Sequence, residues 1–214
     1  MKPFLLLVLF CLTSCALQPE PERSFYAIEP AHVLLALTAL DKPQKAPLAS
    51  AASRERRILR VASPRAAMGL DSERIQVQKA DGSLTWVKNA SWIETPTKML
   101  EPLLMRCLET SGPFAAVVGD RSSATADLDL ETSLEKFTFV EGTNASPSHV
   151  EIAIRFTLLE QQENKLISSK FVSISQPVEA VRLSSILPAF EKALARCLEQ
   201  IVIRLASLDD DQNA

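Results

Sequence analysis

Two runs of strict alternation commit this chain to a β-sheet. In 127–134, Leu128, Leu130 and Leu134 alternate with Asp127, Asp129, Glu131 and Ser133, and in 150–158, Val150, Ile152, Ile154, Phe156 and Leu158 take every second position. A side-chain period of two sends the two sets to opposite faces, so each run is a strand with one dry and one wet side. Phe137 and Phe139 continue the first run on the other parity, which predicts a bulge near Glu135. The polar turn EQQEN then leads into 165–175, an antiparallel partner. Upstream, 24–29, 57–62, 73–79 and 114–118 read as strands, and Asp81-Gly82 reads as a hairpin turn from which 84–87 returns.

Two segments carry helical spacing instead. In 95–111, Leu100, Leu103, Leu104, Cys107 and Leu108 share a face, with Gly112-Pro113 as the stop. Pro102 inside it predicts either a kink or a helix that starts near Glu101. In 186–208, Leu187, Phe190, Leu194, Cys197, Ile201, Val202 and Leu205 form the apolar face. Ser185 is read as its cap, which places Pro188 in the first turn, where a missing N–H costs nothing. Strands, a helix, more strands and a final helix imply an α/β two-layer sandwich. Its sheet is expected to be largely antiparallel, with two main helices on one face. The segment 32–40 (HVLLALTAL) fits a short helix, a buried strand or an exposed apolar loop equally well, and 41–53 reads as a loop.

The N-terminus carries a different signal. Lys2 precedes an apolar stretch from Phe4 to Leu12, which is too short to span a bilayer and has the length of a signal-peptide core. It ends in Leu12-Thr13-Ser14-Cys15. This is a lipobox: small residues enter the peptidase cleft, and a thiol is the side chain that takes the diacylglycerol thioether. The bland alternative is an ordinary cysteine after conventional cleavage, but no A-x-A-like site follows nearby. Residues 1–14 are then the leader and 15–23 a lipidated, Pro-rich tether. The folded domain is 24–208 and the acidic tail 209–214. Acylation at Cys15, with palmitate among the chains, exceeds the two signals that stable anchoring needs. Ala16, where an Asp would retain an enterobacterial lipoprotein in the inner membrane, points to the outer one, facing the periplasm.

Charge and chemistry narrow the function by exclusion. The formal net charge is -3 and becomes one unit more acidic once the leader takes Lys2 away. With no basic run longer than Arg54-Glu55-Arg56-Arg57, nucleic acid is excluded as a partner. There is no phosphate-binding G-x-x-x-x-G-K-[ST], no G-x-S-x-G and no H-E-x-x-H, so no enzyme, cofactor or metal site is expected. His32 and His149 read as surface residues. Asp127, Asp129 and Glu131 are better explained as a wet strand face than as a cation site.

Four residues remain as contact candidates. Trp86 and Trp92 are either partner-contacting aromatics or core. Leu34 and Leu35 are either an exposed apolar surface or a helix covering a sheet edge. Cys107 and Cys197 sit on the apolar faces of the two helices, so two readings stand: a disulfide staple in an oxidising compartment, or two buried free thiols.

In order along the chain, SFYAIEP, the stretch 59–117 opening LRVASPRAAMGL, ADLDLETSLEKF, SSKFVSISQPV and AFEKAL together resemble the ABC-type transport auxiliary lipoproteins, the PqiC-like group. The resemblance covers roughly 24–205. It departs at 32–53, which is longer and more apolar than the pattern, and at Pro102. It implies a non-catalytic accessory lipoprotein that works with a periplasmic MCE-domain protein and its ABC permease and ATPase, moving lipid between the two membranes. Self-association is compatible with that role. A competing reading is an outer-membrane assembly accessory like the small lipoprotein of lipopolysaccharide assembly. A periplasmic hydrolase ranks last, for want of a nucleophile and base.

Overall fold

In the computed structural model, residues 23–39, 57–111, 113–143 and 146–211 are described. The leader, Cys15, most of the tether, the loop 41–53 and the end of the acidic tail lie outside the described residues. Among those described, nine strands form one sheet and three helices accompany it.

The centre is the strand foreseen from the alternating leucines, Leu128–Val140 (β7), and along one whole edge it pairs antiparallel with His149–Glu160 (β8). Lys165–Pro177 (β9) adds antiparallel outside β8 and ends the sheet. The β7–β8 register shifts between Leu134 and Lys136, so the bulge falls at Glu135. It does what the parity change required: Leu128, Leu130 and Leu134 before it and Phe137 and Phe139 after it are all buried on the same face.

Along its other edge β7 takes three short strands end to end, all parallel to it: Ile58–Val61 (β2), Arg65–Ala66 (β3) and Arg74–Gln78 (β4). Pro64 and the left-handed Gly69 (φ 86°) punctuate this broken strand. Outside it lie Leu84–Trp92 (β5), antiparallel to β4, Ala116–Gly119 (β6), parallel to β2, and Ser24–Tyr26 (β1), parallel to β5. The long ladders are antiparallel as expected. The short parallel ones were not anticipated, because strands of two to five residues carry little pattern of their own.

The β4–β5 turn is built as Asp81-Gly82 predicts. Gly82 N donates to Lys79 O at 2.8 Å, and Gly82 adopts φ 83°, open only to residues that tolerate a left-handed backbone. Asp81 Oδ1 accepts from the Ser83 hydroxyl at 2.6 Å and from Ser83 N at 2.9 Å, which holds its carboxyl below the ordinary range. β5 runs five residues beyond the expected 84–87, to Trp92.

Pro30–Ala39 (α1) settles the ambiguous 32–40 segment as a helix, and its Val33 is buried. Pro96–Ser111 (α2) starts on Thr95, whose carbonyl accepts from Met99 N, with Pro96 in the first helical position. It continues through Pro102, so the alternative start near Glu101 is not taken; the proline ring is exposed, away from the packed face.

Leu183–Asp211 (α3) is longer than 186–208 at both ends. Arg182 O accepts from Ser185 N and Ile186 N, so Ser185 lies inside the helix and is not its cap. Pro188 consequently sits in the second turn, where it removes a partner from Ser184 O on an exposed side. The first three residues of the expected acidic tail, Asp209–Asp211, are helical.

Both main helices pack on one face of the sheet. The joint between α3 and the sheet is aromatic: Trp92 meets Phe137 (centroids 5.6 Å) and Phe190 (5.2 Å, 85°) edge to face, and Phe137 meets Phe190 at 4.8 Å. Among the described residues the other face has no helix over it, and it bears cross-strand ion pairs such as Lys136–Glu151 (2.9 Å) and Arg155–Glu135 (3.5 Å).

Candidate functional surface

The chemistry-bearing residues are neutralised where they stand. Asp127 Oδ2 accepts from Ile58 N at 2.7 Å, Asp129 faces Arg60 at 3.6 Å and Glu131 faces Arg65 at 3.5 Å. The acidic alternation is therefore matched by cations and an amide on the broken strand beside it. Among the described residues no group of three or more His, Cys, Asp or Glu could hold a metal ion. His32 lies 3.2 Å from Glu191 and ties α1 to α3, while His149 lies 3.1 Å from Pro147 O. Among the described residues neither histidine hydrogen-bonds a serine, threonine or cysteine side chain.

Cys107 and Cys197 are free, buried thiols, so the staple between the helices is not formed. Cys197 Sγ donates to Ile152 O at 3.6 Å. Burial pushes the Cys107 thiol up to about 11 and the Cys197 thiol up to about 12. Because the thiolate is the reactive form, the native domain is expected to resist alkylation at both residues at pH 8 and to take up two groups after unfolding, read by intact mass. Rapid labelling without denaturant contradicts this packing.

The two tryptophans part company. Trp92 is 1% exposed in the aromatic joint, whereas Trp86 is 44% exposed on the uncovered face. Strand parity explains the split. Trp86 pairs with Gln76 on the open side of β4, while Ile75 and Val77 point into the core. Between Trp86 and Ser91 the ladder breaks, because Arg74 pairs with Ser91 and Gln76 with Trp86, so residues 87–90 bulge opposite Ile75 alone. Asn89 takes up this bulge with φ 57°, a backbone that asparagine tolerates better than most residues.

Around the bulge the surface is apolar and cationic. The Arg74 guanidinium lies 5.0 Å over the Trp86 ring. A shallow depression of ≈ 220 Å³ is lined by Arg23, Arg74, Trp86, Lys88 and Asn89 with Val87, Ala90 and Ser91 of β5, and no acid lines it. Phe25 (59% exposed) and Ile93 (58% exposed) continue the patch across the β1 edge. Sequence reasoning singled out Trp86 but missed Arg23, Phe25 and Arg74, which only the parallel β1–β5 pairing and the β4–β5 register bring beside it.

Of the other contact candidates, Leu34 is half-buried against the core and Leu35 lies in the same helix. Among the described residues no helix is long and apolar enough to cross a membrane.

Residues 39–202 match the family model of the ABC-type transport auxiliary lipoprotein component. Among solved structures the chain is similar to protein XCC0632 from Xanthomonas campestris, with 26% identity over 73% of this chain and 88% of that one and a TM-score of 0.66. It also shares its fold with an uncharacterized protein (17% identity, 71% and 90% coverage, TM-score 0.56). A third relative in fold is the hypothetical protein CT253 from Chlamydia trachomatis (9% identity, 72% and 97% coverage, TM-score 0.51). No curated protein matches the chain.

Proposed function

We propose, on the premise that this chain belongs to the ABC-type transport auxiliary lipoprotein family, that it is the non-catalytic, outer-membrane-anchored accessory subunit of an MCE-type lipid transporter. The observation that carries the reading is the family match over 39–202, which spans both main strand ladders and nearly the whole packed face of α3. Lipid attached at Cys15 holds the domain to the periplasmic side of the outer membrane. The domain meets there the MCE protein that the inner-membrane permease and its ATPase serve.

The described side chains support an accessory role by their chemistry. The acids of β7 are paired, the thiols are buried and protonated, and among the described residues neither histidine hydrogen-bonds a nucleophilic side chain. Such a domain acts through its surfaces and its position.

Affinity purification of the tagged lipoprotein from detergent-solubilised envelopes is expected to recover an MCE-domain protein with its permease and ATPase. Deleting the gene is expected to sensitise cells to envelope stress as loss of that MCE protein does. Recovery of an outer-membrane β-barrel in place of the MCE protein, with unchanged permeability, overturns the reading in favour of an assembly accessory.

A further inference from the structure

We propose that the patch around Trp86 lies on the surface of the bilayer in which the chain's own lipid is embedded. Trp86 and Phe25 sit at headgroup level, and Arg23, Arg74 and Lys88 lie against anionic lipid phosphates. The proposal rests on lipid attachment at Cys15.

The tether's length and its point of entry favour a membrane over a protein as the occupant. Arg23 follows Cys15 by eight residues. At 3.3–3.6 Å per residue the link reaches roughly 29 Å at full stretch, and about 25 Å as a polyproline-like segment. The chain enters the fold at β1, which pairs Ser24 with Ala90 and Phe25 with Ser91. The patch is therefore built around the point where the tether enters the fold.

Its composition fits the same occupant. The depression holds three cations and no acid in a chain of net charge -3. Among the described residues none of the three is ion-paired; the Arg74 guanidinium is stacked on Trp86 instead. Lys88 stands on the bulge, four residues wide against one, that lifts this part of β5 out of the ladder. Exposed indole and phenyl rings next to unpaired cations suit the region where acyl chains meet charged headgroups. There aromatic rings settle at the boundary, and basic side chains gain from the negative surface potential.

The test uses the lipidated full chain in vesicles of phosphatidylethanolamine and phosphatidylglycerol whose acyl chains are brominated near the headgroup. The chain has two tryptophans, and Trp92 is sealed in the core. Lipid quenching of emission therefore reports Trp86. Strong quenching is expected, absent in Trp86→Phe and reduced at least twofold in Arg23→Glu/Lys88→Glu, both exposed changes that leave the circular dichroism spectrum intact. It is also expected to weaken by a similar factor at about 0.5 M salt, where screening falls to a few Å.

Protein that floats with the vesicles while Trp86 stays unquenched overturns the patch but leaves the lipid anchor standing, and leaves this face to a protein partner. Quenching that survives the double charge reversal overturns the role given to Arg23 and Lys88. Protein that does not float overturns the anchor and the proposal together.

Discussion

Phe190→Ala is expected to cost the domain about 3–5 kcal/mol, the range for emptying a buried aromatic site. Phe190 is fully buried on α3 and touches both Trp92 at the end of β5 and Phe137 just past the β7 bulge. Deleting the ring therefore removes two aromatic contacts and opens a hole between layers that cannot easily close, since the sheet side is fixed by long ladders. For a domain of roughly 180 residues, where 1 kcal/mol moves the midpoint by about 2–4 °C, the melting temperature is expected to fall by roughly 6–20 °C. Phe190→Leu, which keeps most of the volume, is expected to cost under about half as much. Thermal melts followed by circular dichroism and by Trp92 emission measure both. A fall of less than about 3 °C for the alanine variant contradicts the three-ring joint.

What the chain announces about its fold depends on how many residues each element has in which to show a period. β7 and β8 each have a dozen or more, so their alternation, their antiparallel partnership and even the bulge at Glu135 are legible in advance. The apolar stripe of α3 is legible for the same reason. β3, two residues long, has no period to read. The second half of β5 is hidden because Lys88-Asn89 breaks alternation where the bulge sits, so the strand's return to the core at Trp92 looks like loop. The start of α3 was misplaced because Ser185 is a good cap by type. The chain turns helical three residues earlier, on the carbonyl of Arg182, which no residue-type preference marks.

The surface was less legible than the fold, for a related reason. Residue type makes Trp86 and Trp92 equivalent, and only strand parity relative to β4 separates an exposed ring from a sealed one. Arg23 and Arg74 are 51 positions apart. Their meeting depends on β1 crossing to pair parallel with β5, a long-range choice that local pattern does not encode. The cysteines show the opposite limit. Their places on two apolar helix faces were read correctly, but a disulfide depends on atomic approach, and both thiols stay free.

Replacing Cys15 with serine is expected to abolish palmitate incorporation and leave the leader attached, because a hydroxyl in place of the thiol offers no thioether. The effect on membrane attachment is large by simple counting. Each buried methylene is worth about 0.8 kcal/mol, one acyl chain holds a protein only marginally, and two or more hold it stably. On the proposed anchor, losing all of them is expected to convert a permanent attachment into whatever the proposed patch supplies alone. The companion variant starts the chain at Ala16 behind a conventional cleavable leader. It is expected to be released into the soluble periplasmic fraction with an unchanged melting temperature, since the first described strand starts at Ser24, nine residues after Cys15. Acyl labelling, fractionation and a thermal melt together separate lost anchoring from lost folding; continued labelling of the serine variant contradicts the assignment. The functional consequence follows from the length of the tether. With the proposed anchor, a domain held within roughly 29 Å of it would sample a thin layer beside one membrane, and release would dilute it through the whole compartment. If its task is to receive a partner at that membrane, the released domain is expected not to restore barrier function to a deletion strain even at normal abundance. Full complementation by the soluble form shows instead that the folded surface acts without the anchor.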